Sequence, residues 1–309
     1  NWYIIRLWKE VLVLEFRDIE IGEKAAFEQF ARGYSNVEAC FGNMYLWRKS
    51  WHIKIAFDEG ALYVLMENGV YPSFMLPPFL KDTEADITAP VLRCEKYMRS
   101  VYDKPLRFKG VTVQIKQQIE LQMADEFVFT EDRPNYEYVY KSEDLANLVG
   151  KKYSAKRNHI NKLIMSHAFE YRAYTDEYYE RCVALQESWI ESKGGMNDDF
   201  SDELFVTKEA LKNIDALGLK CGLLIVDGKM EAFSIGEQHG DNMAVIHIEK
   251  ANPDLQGAFP LINREFVRNE WMDMEYVNRE EDMGIEGMRR AKMSYNPIFL
   301  VEKFDCVRK

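Results

Sequence analysis

The residue types best suited to chemistry fall in four short stretches of the second half of the chain. On the run Ala244-Val-Ile-His247-Ile-Glu249-Lys250, His247 and Glu249 are two positions apart, so on a strand both side chains project from the face opposite Ile246 and Ile248. Glu237, on the preceding strand across a short turn, falls beside them. An imidazole beside a carboxylate suits proton transfer, although a solvated sheet face produces the same alternation. The second stretch, Asn278-Arg279-Glu280-Glu281-Asp282, follows a strand and leads into a helix bearing Arg289, Arg290 and Lys292. Polar loops at strand ends are where α/β folds place their sites. Glu281 or Asp282 could take a proton from an attacking amine or bind an amino group, while Asn278, Arg279 and Arg289 could hold an anionic donor. Asp282 reads equally well as an acid at a helix entry, with Gly284 as the turn.

The other two stretches are suited to anions. Asn252-Pro-Asp-Leu-Gln256-Gly257-Ala258 opens a helix, and backbone N–H groups at Gln256, Gly257 and Ala258 could face a phosphate; the alternative is a plain helix start. Lys151, Lys152, Lys156, Arg157, His159 and Lys162 lie on one predicted helix, and six Lys/Arg stand against the single acid Glu170 between positions 150 and 172. Lys152, Lys156 and His159 fall at i, i+4 and i+7 and so share a face, with Arg157 beside them. Such a face could contact phosphates, or it is a solvated face paired with acids elsewhere.

The surroundings bound these readings. A chain of 309 residues with 47% hydrophobic and 29% charged residues is globular and long enough for two domains. Its net charge of −11 argues against attraction of the whole surface to DNA or anionic lipid, so no DNA partner is expected. The five cysteines (Cys40, Cys94, Cys182, Cys221 and Cys306) stand singly, with neither metal-ligand spacing nor a disulfide framework; no metal is expected, and the thiols suit a reducing, cytoplasmic compartment. No apolar run approaches the ~20 residues of a membrane span. Residues 1–14 lack the pattern of a signal peptide and read as an extension ahead of a domain that starts near Leu14.

Stepping along the chain, apolar periodicity predicts a short strand at 14–18, a helix over 22–32 and a meander of strands at 53–57, 62–67 and 70–76, with Asn68-Gly69 as a hairpin turn. Helices over 89–102 and 111–123 flank a strand at 105–108, and a strand at 126–130 follows. The second half repeats the order. Helices over 154–167, 176–192 and 202–217, with a strand at 170–174, lead to a meander at 222–226, 230–238 and 243–249. A helix over 257–271, a strand at 275–278, a helix over 284–294 and a strand at 298–304 complete it. The class is α+β, a mixed sheet with helices, occurring twice, with domains at 14–147 and 148–309.

A meander followed by a Gly-started helix, then strand, helix and strand, is the chain order of a GNAT acyltransferase domain. Three runs carry a closer resemblance: Asn43-Met-Tyr-Leu-Trp47-Arg48, the run from Lys151 to Lys162, and the run from Val277 through Gly284, Arg290 and Pro297 to Lys303. Together they resemble the soluble bacterial proteins grouped with the C-terminal domain of phosphatidylglycerol lysyltransferase, over nearly the whole chain from Leu14. The resemblance implies two tandem GNAT-like domains, distantly similar to the Fem-type transferases that take an amino acid from aminoacyl-tRNA. The membrane lysyltransferases carry a transmembrane region ahead of this domain and this chain has none, which weighs against a lipid substrate. Acyl-CoA-binding GNAT enzymes carry Arg/Gln-x-x-Gly-x-Gly/Ala where this chain keeps only Gln256-Gly257-Ala258. The expectation is therefore aminoacyl transfer from an aminoacyl-tRNA-type donor to an amine or hydroxyl. The alternatives are a CoA thioester as co-substrate of an N-acyltransferase, or a small-molecule-binding GNAT-like module without catalysis.

Overall fold

The computed structural model describes residues 14–67, 69 and 72–309. The expected N-terminal extension, the Asn68-Gly69 turn and the start of the strand at 70–76 fall wholly or partly outside them. The chain divides into two compact units: one runs to Tyr136 and regains Val301–Lys309, and the other is Glu137–Leu300.

In the first unit, β1 (Arg17–Asp18) precedes α1 (Lys24–Ala31) and α2 (Phe41–Leu46), followed by β2 (Lys54–Phe57), β3 (Ala61–Met66), β4 (Phe74–Met75) and β5 (Phe79–Leu80). Then come α3 (Thr88–Tyr102), β6 (Arg107–Thr112), α4 (Val113–Gln122) and β7 (Phe127–Glu131). All six residues of β3 are buried, which is why its sequence reads as an unbroken apolar run. The sheet order is β1-β2-β3-β4-β6-β15-β7, with β5 also on β3, where β15 is the last strand of the chain, Lys303–Arg308.

The second unit holds β8 (Glu137–Lys141), α5 (Ser142–Asn147), α6 (Ser154–Ser166), β9 (Phe169–Ala173), α7 (Tyr179–Ser192), α8 (Asp198–Lys212) and α9 (Ile214–Leu217). The long strands β10 (Leu219–Val226), β11 (Lys229–His239) and β12 (Met243–Ala251) form the expected meander. After it come α10 (Ala258–Glu270), β13 (Tyr276–Asn278), α11 (Glu286–Met293) and β14 (Phe299–Val301), in a sheet ordered β14-β8-β13-β12-β11-β10-β9. Leu261, Ile262, Phe266 and Val267 of α10 pack with Ala244, Ile246, Ala232 and Leu224 of the sheet. Ala258, Leu261, Ile262 and Phe266 fall at i, i+3, i+4 and i+8, one apolar helix face.

The boundary differs from the expected 147/148 at both ends, for one reason each. Residues 137–141 are a strand of the second sheet, paired with β13 through Val277↔Tyr140. The final strand hydrogen-bonds between β6 and β7 of the first sheet, with Cys306 opposite both Phe108 and Phe129.

That returning strand is fixed by a buried charge. Lys303 Nζ lies 2.6 Å from Glu38 Oε1, with side chains 2% and 16% exposed, and Asn36 Nδ2 donates to the other carboxylate oxygen. Gly110, at φ +69°, passes so close that a Cβ there would stand 3.0 Å from Glu38 Oε1. A buried pair that loses one partner leaves the other charge uncompensated. Lys303→Met is therefore expected to lower the unfolding free energy by about 3–5 kcal/mol in urea titrations, with part of the loss recovered in Lys303→Met/Glu38→Gln. A loss too small to measure would show that the pair does not hold the strand.

Candidate functional site

In the second unit, β12 and β13 run parallel for only three pairs, Met243↔Tyr276, Ala244↔Val277 and Val245↔Asn278. Beyond them β12 continues to Ala251 while the chain after Asn278 turns away, so a gap opens at the carboxyl end of the shorter strand. That is the position where open α/β sheets take ligands.

The register of β11 on β12 shifts at this point: Ile235 faces Ile248, and Gly236 faces Ile246. His247 is therefore an extra residue, a bulge. Gly236 makes it possible, since a Cβ there would lie 2.4 Å from the Val245 carbonyl oxygen. The bulge corrects the expectation that His247 and Glu249 share a face. His247 Nε2 meets Glu237, which sits opposite Val245. Glu249 instead accepts from Asn263 of α10, and Lys250 reaches Glu203 of α8.

His247 is buried between two carboxylates, Glu237 Oε1 at 2.9 Å from Nε2 and Glu280 Oε1 at 2.7 Å from Nδ1. Burial disfavours its charge, but the hydrogen bonds it donates to Glu237 and then Glu280 outweigh that and raise its pKa to about 10. At neutral pH both nitrogens are donors, and neither has a lone pair with which to accept a proton. Glu280 is held in place through its backbone, at φ +58°, by Asn278 Oδ1 accepting from its N–H and by Tyr138 N–H donating to its carbonyl. Asn278 itself donates to the buried Glu137.

Arg279 extends to the α10 side of the gap. Its Nη2 lies 2.9 Å from Glu249 Oε1, Asn263 Nδ2 donates to Glu249 Oε2 at 2.9 Å, and the guanidinium stands 4.7 Å from the centroid of the Tyr295 ring. Burial works against the charge of Arg279, and the Glu249 carboxylate more than restores it. Two atoms of this group are buried without a hydrogen-bond partner, Arg279 Nη1 and Asn263 Oδ1. Lys156 Nζ donates to Ser294 Oγ at 2.7 Å and lies 3.5 Å from the Tyr295 ring centroid. Burial, then the charge of Arg279, bring Lys156 down to about 8 against the pull of Glu249.

The remaining candidates are placed as follows. Asp282 is fully buried and accepts from Tyr138 Oη, from Nε and Nη2 of Arg289 and from the Gly284 N–H. Burial alone would raise its pKa, but these donors hold it far below the carboxylate range, so it is an anion with every lone-pair direction in use. Arg289 is correspondingly engaged with Asp282. Glu281 contributes its backbone carbonyl to Lys292 Nζ. Lys152 lies in a 3₁₀ turn ahead of α6, 3.2 Å from Asp144, and Arg157 donates to the carbonyls of Leu148 and Gly150. Gln256 accepts from Lys162, and Ala258 N–H is used by Leu255 O. Gly257, at φ +99°, lies against α6, where a Cβ would stand 2.6 Å from the His159 carbonyl oxygen.

The structure thus gathers His247, Glu249, Asn278 and Arg279 around one gap with Lys156 beside it. Gln256, Gly257 and Ala258 are a separate group under α6. Asn263 and Tyr295 carry no expectation from sequence, and Lys292 carries none beyond its place on the helix that follows Asp282. Asn263 had one available signal, a polar residue in the middle of the apolar face of α10. Among the described residues, no group of three or more His, Cys, Asp or Glu is placed to hold a metal ion, and no helix is long and apolar enough to cross a membrane.

The raised pKa of His247 fixes a sign. A histidine held above its unfolded value of about 6.5 contributes stability that is complete below pH 6.5 and is lost as pH rises toward its folded value of about 10. Between pH 6.5 and 8 this single group is expected to lower the unfolding free energy by about 1.4 kcal/mol per pH unit. In Glu237→Gln the imidazole titration, followed by NMR of labelled histidine, should move down by about 1–3 units. A His247 resonance that titrates near 6.5 in the unsubstituted protein would contradict the arrangement.

Among curated proteins, none matches this chain. A conserved protein of unknown function from Bacteroides thetaiotaomicron has the same fold, with 30% identity over 96% of this chain and 100% of that one and a TM-score of 0.90. L-PGS from Bacillus licheniformis shares the fold at 12% identity, over 95% of this chain and 93% of that one, with a TM-score of 0.65. A tandem GNAT protein from the clavulanic acid biosynthesis pathway does so at 10% identity, over 96% and 98%, with a TM-score of 0.51. The expected fold class is therefore found: two mixed sheets with helices, with GNAT-like folds among the structural neighbours. The family model described as "Phosphatidylglycerol lysyltransferase, C-terminal" matches residues 31–307, and the chain belongs to that family.

Proposed function

We propose that the second unit transfers an aminoacyl group from an ester donor of the aminoacyl-tRNA type to an amine or hydroxyl acceptor. The observation that carries this reading is the pair of unpartnered buried atoms in the gap, one donor and one acceptor: Arg279 Nη1 and Asn263 Oδ1. An aminoacyl ester presents the complement. Its carbonyl oxygen accepts from Arg279, and its α-ammonium meets Asn263 Oδ1 and the Glu249 carboxylate.

Attack by the acceptor forms a bond to the carbonyl carbon and moves the π electrons onto oxygen. The ester C–O bond then breaks and releases the donor hydroxyl. A fixed guanidinium is worth more to the oxyanion than to the ground-state carbonyl, and that difference accelerates the reaction. Arg279 suits the role because Glu249 and the Tyr295 ring fix its plane before the substrate arrives. Lys156 on α6 adds positive charge for the donor's phosphates.

A CoA thioester is less well served. Gly257 packs against the His159 carbonyl, Gln256 is tied to Lys162, and Ala258 N–H already has an acceptor, so the start of α10 is covered by α6. The family's name, which specifies a lysyltransferase, points the same way.

Total tRNA charged with ¹⁴C-labelled amino acids, with hydroxylamine as a surrogate acceptor, tests the reading. Protein-dependent hydroxamate formation is expected, and Arg279→Gln should lower kcat by about 10²–10³. Consumption of acetyl-CoA with no effect on aminoacyl-tRNA would replace it with the CoA alternative.

A further inference from the structure

We propose that Lys292 is the catalytic base of the second unit, taking the proton from the acceptor's amine or hydroxyl as it attacks the carbonyl carbon. The proposal rests on the transfer reaction argued above.

Asp282 is saturated by Tyr138, Arg289 and Gly284. Glu249 carries Arg279 and Asn263. Glu237 and Glu280 share the imidazolium of His247, which has no lone pair to offer. These four carboxylates and the imidazole are committed to holding charge in place.

Lys292, on the last turn of α11, differs from all of them. Its Nζ donates to the carbonyl oxygen of Arg279 at 2.5 Å and to that of Glu281, and no carboxylate is among its hydrogen-bond partners. The two carbonyls flank Glu280, so the amine sits at the turn that carries both Arg279 and Glu280 to the gap. A tetrahedral nitrogen whose stem and two N–H bonds are fixed has one direction left, and in the neutral amine that direction is the lone pair. Burial lowers its pKa to about 8, with Glu281, Glu280 and Asp282 opposing that and the charge of Arg279 adding to it. The groups facing Lys292 are these four on its own connection and the Tyr138 ring on β8, 5.9 Å away. A base poised near neutrality is what proton abstraction requires.

The step balances without a further reactant. The acceptor's N–H or O–H proton passes to Lys292 Nζ as the new bond to carbon forms. The ammonium then returns that proton to the departing ester oxygen as the C–O bond breaks.

The test compares the unsubstituted protein with Lys292→Met and Lys292→Arg in the hydroxamate assay, with circular dichroism confirming that each folds. In the unsubstituted protein, log kcat should rise with pH to a plateau above about 8. Both variants should lose that limb and fall by about 10²–10⁴ in kcat, because arginine keeps the cation and the carbonyl contacts but does not release its proton. Methylamine added to Lys292→Met should restore part of the rate. If Lys292→Arg retains activity, or the limb persists in Lys292→Met, the base is another group and the assignment falls. If the unsubstituted protein transfers nothing, the reading of function on which the assignment rests is overturned instead.

Discussion

The second unit depends on one constraint: two parallel strands that stay paired for three residues and then separate, with charged side chains around the point of separation. Backbone groups that lose their ladder partners must find others, and here side chains supply them. Asn278 accepts from the N–H of Glu280, and Lys292 donates to the carbonyls of Arg279 and Glu281. Once those contacts fix the turn, Arg279 falls on the α10 side and Glu280 on the side of His247. The bulge at His247 completes the arrangement by turning successive polar residues of β12 to opposite faces.

Most of the fold was legible because its elements are long and strongly periodic. The meander of β10, β11 and β12, the apolar face of α10 and the helix over 154–166 follow from alternation and 3.6-residue spacing. The boundary was not, since a strand that pairs across a long sequence separation looks like any other apolar run. Nothing local in Phe304, Cys306 and Val307 says that they belong beside Phe108 and Phe129. Only the buried Lys303 is out of place in such a run, and its partner Glu38 is 265 positions away.

The site was legible in part. Residue types at strand ends drew attention to His247, Glu249, Asn278 and Arg279, which the fold brings near one another, since polar residues at such positions need a reason to be there. The two-residue rule then failed at His247 because it assumes an unbroken ladder. Gly236, a glycine within a strand pattern, was the available warning. Asp282 looked like a base because sequence shows the carboxylate and hides its partners. Lys292 carried no signal at all: a basic residue in the last turn of a helix is ordinary dipole compensation, and only the carbonyls it meets set it apart.

Burial acts on these groups with one mechanism and opposite results. Removing a charge from water always costs, so the outcome turns on what replaces the water. His247 meets two carboxylates, and its proton is retained into alkaline pH. Lys292 meets two neutral carbonyls, and its proton becomes easier to lose. Their stability linkages therefore have opposite signs above pH 8: the imidazolium withdraws support as pH rises, while a lysine below its unfolded value of about 10.4 relieves a cost over the same interval. The difference also divides the labour. A group whose charge is fully compensated is a good scaffold and a poor proton acceptor, and Glu237, Glu249, Glu280 and Asp282, bound to cations or donors, are scaffold. Lys292, bound to carbonyls at the turn that carries Arg279 and Glu280, is a group whose protonation changes at little cost near neutrality.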